Sequence, residues 1–450
     1  MHNLKTRRRW LRAAIAAALA APAAAAGCGD LLDVDNPGVV ETPQLEDPTY
    51  RGVLVNSVVG EFQPMFPLVA YYSAVFTDEL RNHHNFVEER LVDQRNVLPE
   101  NATYVTLVYN NLHRTRFLAD SVDQYLREFA ADSAGRDLRR ARVNAYGAYT
   151  YLLMGEIMCG SPINMGPLLS SDSLIKIAVS RANEAISIAT AAKAVTTPPA
   201  GVVASADSLA NFARVLGARA HLQLGNKAEA LALASQVPAG FEFRAYYTES
   251  TPARQNNPIF GRLQQVGSIS AGLDFTPWAT VTRDPRVPRP ATNEATLDGI
   301  RAFVPNSPLS YSTYNDSITG ANFTNGGWIR IASGLEARYI VAEAGGPTAT
   351  SIAFIESRRA IDPTGRAADP TTAANFMANL REQRARDFYL DGHRLGDLRR
   401  YKAQYGVDLF PRGPYENSTT GETYGSLTND QICFPLSAAE IQRNPNIPKT

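Results

Sequence analysis

The residues whose types and spacing could support catalysis lie near the C-terminal end of the chain. His393 stands between Asp391 and Asp397, and three arginines lie close to it in the sequence. A carboxylate-oriented histidine beside cations is an arrangement that general acid–base catalysis uses. A competing interpretation is that these charges join two helices across a turn at Gly392. We favour the second interpretation, because no nucleophile motif accompanies this single histidine.

The surrounding stretch, residues 381–400, has the sequence REQRARDFYLDGHRLGDLRR, in which arginines alternate with acidic residues. Many of these residues are three or four positions apart, so that opposite charges can pair on one face of a helix. The stretch is therefore predicted to be a charge-paired clasp between helices. Any binding surface is expected on another side of the molecule.

The sequence lacks the common catalytic motifs. The nucleophile-elbow, phosphate-loop and dinucleotide patterns are absent, and so is H-E-x-x-H. His83, His84 and Glu88 could form a metal cluster, because His84 and Glu88 are one helical turn apart. Since no second element of this kind accompanies them, a solvated polar turn is the favoured interpretation. We therefore predict no metal, no cofactor and no enzymatic activity.

Residues 1–27 are predicted to be an export signal. A basic segment is followed by an alanine-rich apolar run that is too short for a comfortable membrane span. The run ends in Ala-Ala-Gly-Cys, which resembles a bacterial lipobox. Cys28 is then expected to be the acylated first residue of the mature protein, and residues 28–50 to form its tether. The alternative is an ordinary signal peptide that is cut after an Ala-x-Ala sequence.

Composition restricts the classes of partner. The chain has 44 basic and 44 acidic side chains, and five of the basic ones lie in the export signal, so the remainder carries a formal charge of −5. No basic stripe with interleaved aromatic residues is present, and nucleic acid is not a predicted partner. No later segment is predicted to cross a bilayer. Cys159 and Cys433 could pair in an oxidising compartment or remain buried free thiols, and their spacing does not decide between the two.

Residues 51–450 are predicted to form a single, mainly α domain. Apolar residues recur with helical spacing between about 100 and 238, and again between about 330 and 405. The segment 207–238 resembles a tetratricopeptide repeat, with alanines where two helices must approach closely. Stacked tetratricopeptide-like helical hairpins with little β structure are therefore expected, followed by a C-terminal closing segment, residues 406–450.

Residues 239–329 lack a helical pattern and contain many Pro, Gly, Asn and Ser residues. They also keep many aromatic residues, which disfavours disorder. A long irregular, loop-rich insertion over the helical scaffold is predicted, and we expect the ligand on this side. Trp278 and Trp328 are the two tryptophans that follow the export signal. An indole face can stack on a sugar ring, although both side chains could instead be core anchors.

Several short segments resemble, in order and in spacing, the SusD/RagB family of outer-membrane lipoproteins. Near the N-terminus these are Cys28–Leu32 and Thr77–Glu79. The most specific resemblance is that of residues 381–400 to the closing signature of the family. Asp391 and Leu395 depart from it, where the family tends to have a glutamate and an aromatic residue. The signature residues, interpreted as structural, are Arg381, Glu382, Gly392, His393, Arg394, Asp397, Arg399 and Arg400.

The resemblance implies a nutrient-binding lipoprotein on the outer face of a Gram-negative outer membrane. Such a protein is the lid of a TonB-dependent, SusC-like β-barrel transporter, and captures an oligosaccharide, or sometimes a peptide, without chemistry. The alternatives are a secreted hydrolase that uses His393, or a structural surface lipoprotein whose repeats hold another protein. The candidate ligand-binding residues, chosen by location and chemistry, are Asp78, Arg81, Asn82, Trp278, Tyr311, Tyr314 and Trp328.

Overall fold

The computed structural model describes residues 47–82, 86–131, 133–248, 256–260, 269–272, 275, 278, 282, 284–287, 328–362, 364, 369–416, 423–427 and 430–448. The chain divides into two compact units, Met1–Arg51 and Gly52–Thr450. The sites discussed below belong to the second unit. The predicted residues that lie outside the described ones are Cys28, His83, His84, Tyr311 and Tyr314.

The first long helix, α1 (Arg51–Phe76), belongs to the core. Its C-terminal half is buried almost throughout, and Phe62 and Phe66 stack on each other and pack against Tyr149. By length and composition, the stretch Pro48–Phe76 could cross a membrane, contrary to the prediction that no segment after the export signal could do so. Core helices of water-exposed proteins can have the same length and composition, and 44% of the apolar window in this stretch is buried.

Short elements lead from α1 to the scaffold. Asn101 caps the turn that begins with Ala102, and Glu88 accepts hydrogen bonds from the backbone N–H of Thr103 at 2.8 Å and from its hydroxyl at 2.7 Å. Glu88 is thus engaged in capping. Among the described residues, no group of three or more His, Cys, Asp or Glu could hold a metal ion. The elements are β1 (Leu80–Asn82), α2 (Val87–Asp93), α3 (Ala102–Tyr104), a π-helical turn (Val105–Tyr109) and α4 (Asn110–Phe129).

The first half of the scaffold consists of helices that pack mainly on their neighbours in the chain. Small residues allow the close approach: a Cβ added at Gly217 would lie 3.0 Å from a methyl of Leu233 and 3.5 Å from Cβ of Ala182. Stacked helical hairpins are the result, as predicted. After α4 the elements are α5 (Leu138–Ile157), β2 (Ser161–Pro162), β3 (Leu168–Leu169), α6 (Ser171–Lys193), α7 (Ala200–Gln223) and α8 (Lys227–Ala234).

The second half of the scaffold follows the irregular region. Ser333 and Thr348 cap its first two helices by accepting hydrogen bonds from the N–H groups of Glu336 and Ser351. The side chains of Tyr339, Phe354, Phe376, Leu380 and Phe388 form the apolar cluster between these helices. The described elements of the irregular region are β4 (Glu242–Ala245), α9 (Pro258–Phe260) and β5 (Ile269–Ala271). They are followed by β6 (Ile329–Ser333), α10 (Gly334–Gly345), α11 (Ala349–Arg359), α12 (Phe376–Asp387) and α13 (Arg394–Tyr405).

The described strands are short and pair as two-stranded antiparallel sheets: β1 with β5, β2 with β3, β4 with β6, and β7 (Pro414–Glu416) with β8 (Thr423–Ser426). Two of these pairs fasten the irregular region to the scaffold. The β1–β5 pair joins it to the loop after α1, and the β4–β6 pair joins it to the start of α10. The prediction of a mainly α fold with little β structure is confirmed.

Cys159 and Cys433 form a disulfide, with Cα atoms 5.1 Å apart. Of the two alternatives that the sequence left open, pairing is therefore the one found. The neighbouring Phe434 donates its N–H to the carbonyl of Ile157 at 2.7 Å, and its ring stacks on Tyr104 at 4.8 Å. The closing segment, which ends with α14 (Ala438–Arg443), is thus attached to the end of α5.

Candidate functional site

The clasp, residues 381–400, is built around His393, which is 2% exposed. Nδ1 of its ring lies 2.6 Å from Oδ1 of Asp391, and Nε2 lies 3.0 Å from Oε1 of Glu336. Burial and the charge of Arg219 lower the pKa of His393, but the two carboxylates outweigh them and the pKa is raised. A substrate has no access to either ring nitrogen. This geometry supports a structural role for His393.

The same clasp holds a second group of buried charges. Arg384 Nε donates to Asp397 at 2.7 Å, and Arg400 Nη1 donates to the other oxygen of Asp397 at 2.8 Å. Arg400 also donates to Glu343 at 2.9 Å, which connects α13 to α10. Every partner in this group is nearly or fully buried. Removing one charge would therefore leave another without compensation in the interior.

Two other signature residues, Arg399 and Gly392, act on the backbone and do not bind carboxylates. Arg399 donates to the carbonyls of Gly155 at 3.0 Å and Met158 at 3.1 Å, so it caps the C-terminal end of α5, and burial lowers the pKa of Arg399 to about 10. Gly392 has a φ of 79°, a left-handed conformation that disfavours other residues. It allows the chain to reverse between α12 and α13, as the sequence predicted.

The irregular region is anchored to α12 by residues 284–287. Asp284 accepts hydrogen bonds from Arg286 at 2.6 Å and from Arg386 at 2.9 Å. Arg286 in turn lies 3.3 Å from Asp387. These side chains are buried, so the contact fixes where the neighbouring Trp278 lies relative to α12.

A cavity of about 390 Å³ opens between α12, Trp278 and the loop after α1. One face of α12 forms its floor, because Ala378, Arg381, Glu382 and Ala385 are spaced by three or four residues. The two alanines leave room above the helix, and the two charged side chains border it. The described residues that line the cavity are Asp78, Trp278, Ala378, Arg381, Glu382, Ala385, Arg394 and Leu409.

The indole of Trp278 is partly exposed and is positioned by aromatic and cationic neighbours. The ring of Phe275 meets it edge-on at 4.8 Å and stacks on Tyr389 at 4.9 Å. The guanidinium carbon of Arg386 lies 4.5 Å from the centroid of Trp278. Trp278 is therefore held in place, yet part of it remains open to a ligand.

Asp78 is one of the two acidic residues that border the cavity, and it pairs with the signature residue Arg394. Arg394 Nε donates to Asp78 Oδ1 at 2.7 Å. The next residue, Glu79, is fully buried and accepts the N–H of Leu390 at 2.9 Å; burial raises its pKa well above the usual range. The predicted ligand loop and the clasp therefore meet. The candidate residues Asp78 and Trp278 thus lie beside the clasp, whereas the sequence placed the candidates on another side of the molecule.

A smaller cavity of about 270 Å³ adjoins the first and shares Asp78 and Leu409 with it. Arg81 borders this cavity and pairs with buried Asp93 at 3.1 Å. Asn82 is buried, and its backbone N–H donates to Asp93 at 2.7 Å. Of the two, Arg81 is therefore the one that reaches a cavity.

Trp328 is not among the described residues that line the Trp278 cavity or the smaller cavity beside it. The guanidinium carbon of Arg244 lies 3.5 Å from the centroid of its ring. Another cavity, of about 530 Å³, lies farther back along α1, beside Gln63 and the 63% exposed Tyr246. It contains none of the residues that the sequence predicted for the site.

Comparison with known proteins gives one family. Residues 310–450, which include the entire clasp, match the model of the SusD family. No curated protein sequence matches the chain.

Solved structures of SusD proteins share the fold. A SusD superfamily protein from Bacteroides thetaiotaomicron VPI-5482 has 13% identity and a TM-score of 0.64, over 90% of this chain and 99% of that one. One from Bacteroides vulgatus ATCC 8482 has 14% identity and a TM-score of 0.60, over 90% and 98%. Surface glycan-binding protein A from Bacteroides thetaiotaomicron, solved in complex with laminarihexaose, has 14% identity and a TM-score of 0.62, over 89% and 98%. Residues 310–450 thus match the SusD family model, and the chain shares the fold of solved SusD proteins over about nine tenths of its length.

Proposed function

We propose that the protein is a nutrient-binding lipoprotein that captures a saccharide at the Trp278 cavity. The observation that carries the proposal is a partly exposed, rigidly held indole beside carboxylate and guanidinium groups. An indole stacks on the apolar face of a sugar ring, and the charged groups orient its hydroxyls by hydrogen bonding. A protein of the same fold binds laminarihexaose, which supports the same class of ligand here.

The protein acts in import as the lid of a TonB-dependent, SusC-like β-barrel transporter, to which it delivers the saccharide. Acylated Cys28 anchors it to the outer membrane of a Gram-negative bacterium, facing the cell exterior. The match of residues 310–450 to the SusD family model supports both parts of this proposal. The burial of His393 between two carboxylates argues against a hydrolase and for a binding protein.

The binding proposal is tested with a panel of neutral and acidic oligosaccharides, by thermal shift and then calorimetry. A ligand at one hundred times its Kd should add about 2.7 kcal/mol to the free energy of unfolding. Trp278→Ala should weaken the binding of the best ligand by about tenfold, since aromatic stacking is worth up to about 1.5 kcal/mol.

Trp328→Ala is the matched control, because it removes the same side chain from outside the cavity. Equal losses for both variants would contradict binding at Trp278, and a panel without any stabilising member would contradict saccharide capture. For the anchor, Cys28→Ser should release the protein from membranes. The transporter proposal requires a β-barrel protein to co-purify with the membrane-bound wild type, and its absence would count against the lid role.

A further inference from the structure

The charges that border the Trp278 cavity are not all compensated. Asp78 is paired with Arg394, and Glu382 with Arg386, whose guanidinium lies under the indole of Trp278. Arg381 also borders the cavity, but no carboxylate of the described residues lies within ion-pair distance of it. The guanidinium of Arg381 therefore borders the cavity without a carboxylate partner among the described residues.

Arg381 is held in place without being neutralised. It occupies the middle of α12, between the two alanines of the cavity floor, and is only partly exposed. Its guanidinium carbon lies 5.7 Å from the ring centroid of Tyr401, which restricts the side chain through a cation–π contact and leaves its N–H donors available. The cavity thus presents a positioned set of donors beside an indole.

We propose that Arg381 makes the cavity selective for acidic saccharides, whose carboxylate or sulfate group it binds while Trp278 stacks on the sugar ring. This inference rests on the proposed function and adds the class of saccharide. Guanidinium is planar and matches carboxylate and sulfate through two parallel N–H···O bonds. A neutral sugar would leave this charge uncompensated in a partly enclosed site.

The net charge of the molecule does not favour acidic ligands. The chain after the export signal carries a formal charge of −5, so general electrostatic attraction opposes a polyanion. Preferential binding of an acidic saccharide must therefore come from a local cation. This makes the contribution of Arg381 measurable with a single substitution.

The experiment compares hexagalacturonate, a sulfated κ-carrageenan oligosaccharide and neutral laminarihexaose by calorimetry on the full chain after its export signal. Arg381→Gln should weaken binding of the preferred acidic probe at least about tenfold, because a hydrogen bond to a charged group is worth about 1.5–3 kcal/mol. The same variant should leave laminarihexaose binding unchanged. The two acidic probes tell carboxylate from sulfate recognition.

Arg381→Lys and Arg443→Gln complete the set. Lysine keeps the charge but not the paired donors, so Arg381→Lys should retain part of the affinity for the acidic probe. It replaces Arg381→Gln in the comparison if that variant proves unstable. Arg443 is exposed on α14 and borders none of the three cavities, so its substitution should have no effect. Equal loss with Arg443→Gln would assign the effect to overall charge and overturn the inference.

Other outcomes separate this inference from the proposed function. Acidic probes that bind wild type and Arg381→Gln equally, but not Trp278→Ala, would overturn the role of Arg381 and leave saccharide capture intact. Preference for laminarihexaose over both acidic probes would do the same. Failure of every saccharide to bind would overturn both.

Discussion

Replacing Asp397 by asparagine tests whether the buried charges of the clasp stabilise the fold. Asp397 is 3% exposed and accepts hydrogen bonds from Arg384 at 2.7 Å and from Arg400 at 2.8 Å. Burial raises the pKa of Asp397, but the two guanidiniums outweigh it and hold the pKa well below its usual range. Asparagine keeps the shape of the side chain and removes its charge.

The expected loss of unfolding free energy depends on which carboxylate partners Arg384 and Arg400 keep in the variant. Arg400 keeps Glu343, whereas Arg384 loses the carboxylate to which it donates in the fully buried interior. Removing one partner of a buried pair costs about 3–5 kcal/mol. Unfolding entropy of about 2.1 cal/mol/K per residue gives about 0.8 kcal/mol/K for roughly 400 residues. The midpoint of thermal unfolding should therefore fall by about 4–6 °C.

Asp408→Asn is the matched control. Asp408 also accepts from two cations, Lys402 at 2.9 Å and Arg412 at 2.6 Å, but it is exposed. Exposed ion pairs contribute about 0–1 kcal/mol, so this variant should shift the midpoint by no more than about 1 °C. Both variants are followed by circular dichroism at neutral pH. If Asp397→Asn loses no more than Asp408→Asn, buried charge is not what stabilises the clasp.

The pH dependence of the unfolding free energy provides a second comparison between wild type and Asp397→Asn. A carboxylate whose folded-state pKa is depressed contributes stability that is fully present above the unfolded pKa of about 3.9 and is lost as the pH falls through the folded value. Wild type should therefore lose its advantage over Asp397→Asn as the pH decreases below about 4. A constant difference in unfolding free energy down to acid would show that the loss at neutral pH has another cause than charge.

Three more predictions concern other parts of the fold. His393→Ala should destabilise the protein by about 1.5–3 kcal/mol in urea unfolding, because Asp391 and Glu336 lose one charged partner each and keep only Arg330 and Arg219, whereas a well-folded variant that loses a hydrolytic activity would support the hydrolase alternative. Reduction of the Cys159–Cys433 disulfide, which closes 274 residues, should lower stability by up to about 5 kcal/mol; an unchanged urea midpoint in dithiothreitol would contradict this. Gly272→Ala should destabilise the fold and weaken saccharide binding, because a Cβ there would lie 1.8 Å from the carbonyl oxygen of Asp78; binding equal to wild type would contradict the placement of Asp78.

Much of the scaffold was predictable because helices are encoded locally. The apolar spacing indicates the hairpins of residues 100–238, and the alanines indicate where helices approach closely. The boundaries were less predictable: α7 begins at Ala200 rather than near Asp207. Pro199 precedes this helix and favours its start, but the residues that follow carry little apolar pattern and are mostly exposed. The periodic signal thus begins only where the helix becomes buried.

The strand pairs were not predictable, because each joins segments that are far apart in the sequence. Leu80–Asn82 pairs with Ile269–Ala271, and Glu242–Ala245 with Ile329–Ser333. Strands of three to five residues carry too little alternation to be recognised, and their register depends on tertiary packing. The disulfide was undecided for the same reason. Residue types alone could nominate Asp78 and Trp278, but not bring them to one cavity.

The clasp and the candidate site share one helix, α12, although the sequence analysis expected them on different sides of the molecule. In α12, Arg384 and Asp387 face the interior, where their ion pairs hold α11, α13 and the irregular region. Arg381 and Glu382, which precede them by only a few residues, face the cavity beside Trp278. Helical geometry therefore gives neighbouring charges opposite roles. The paired inner face fixes the backbone of α12, and this rigidity positions the outer face for a ligand.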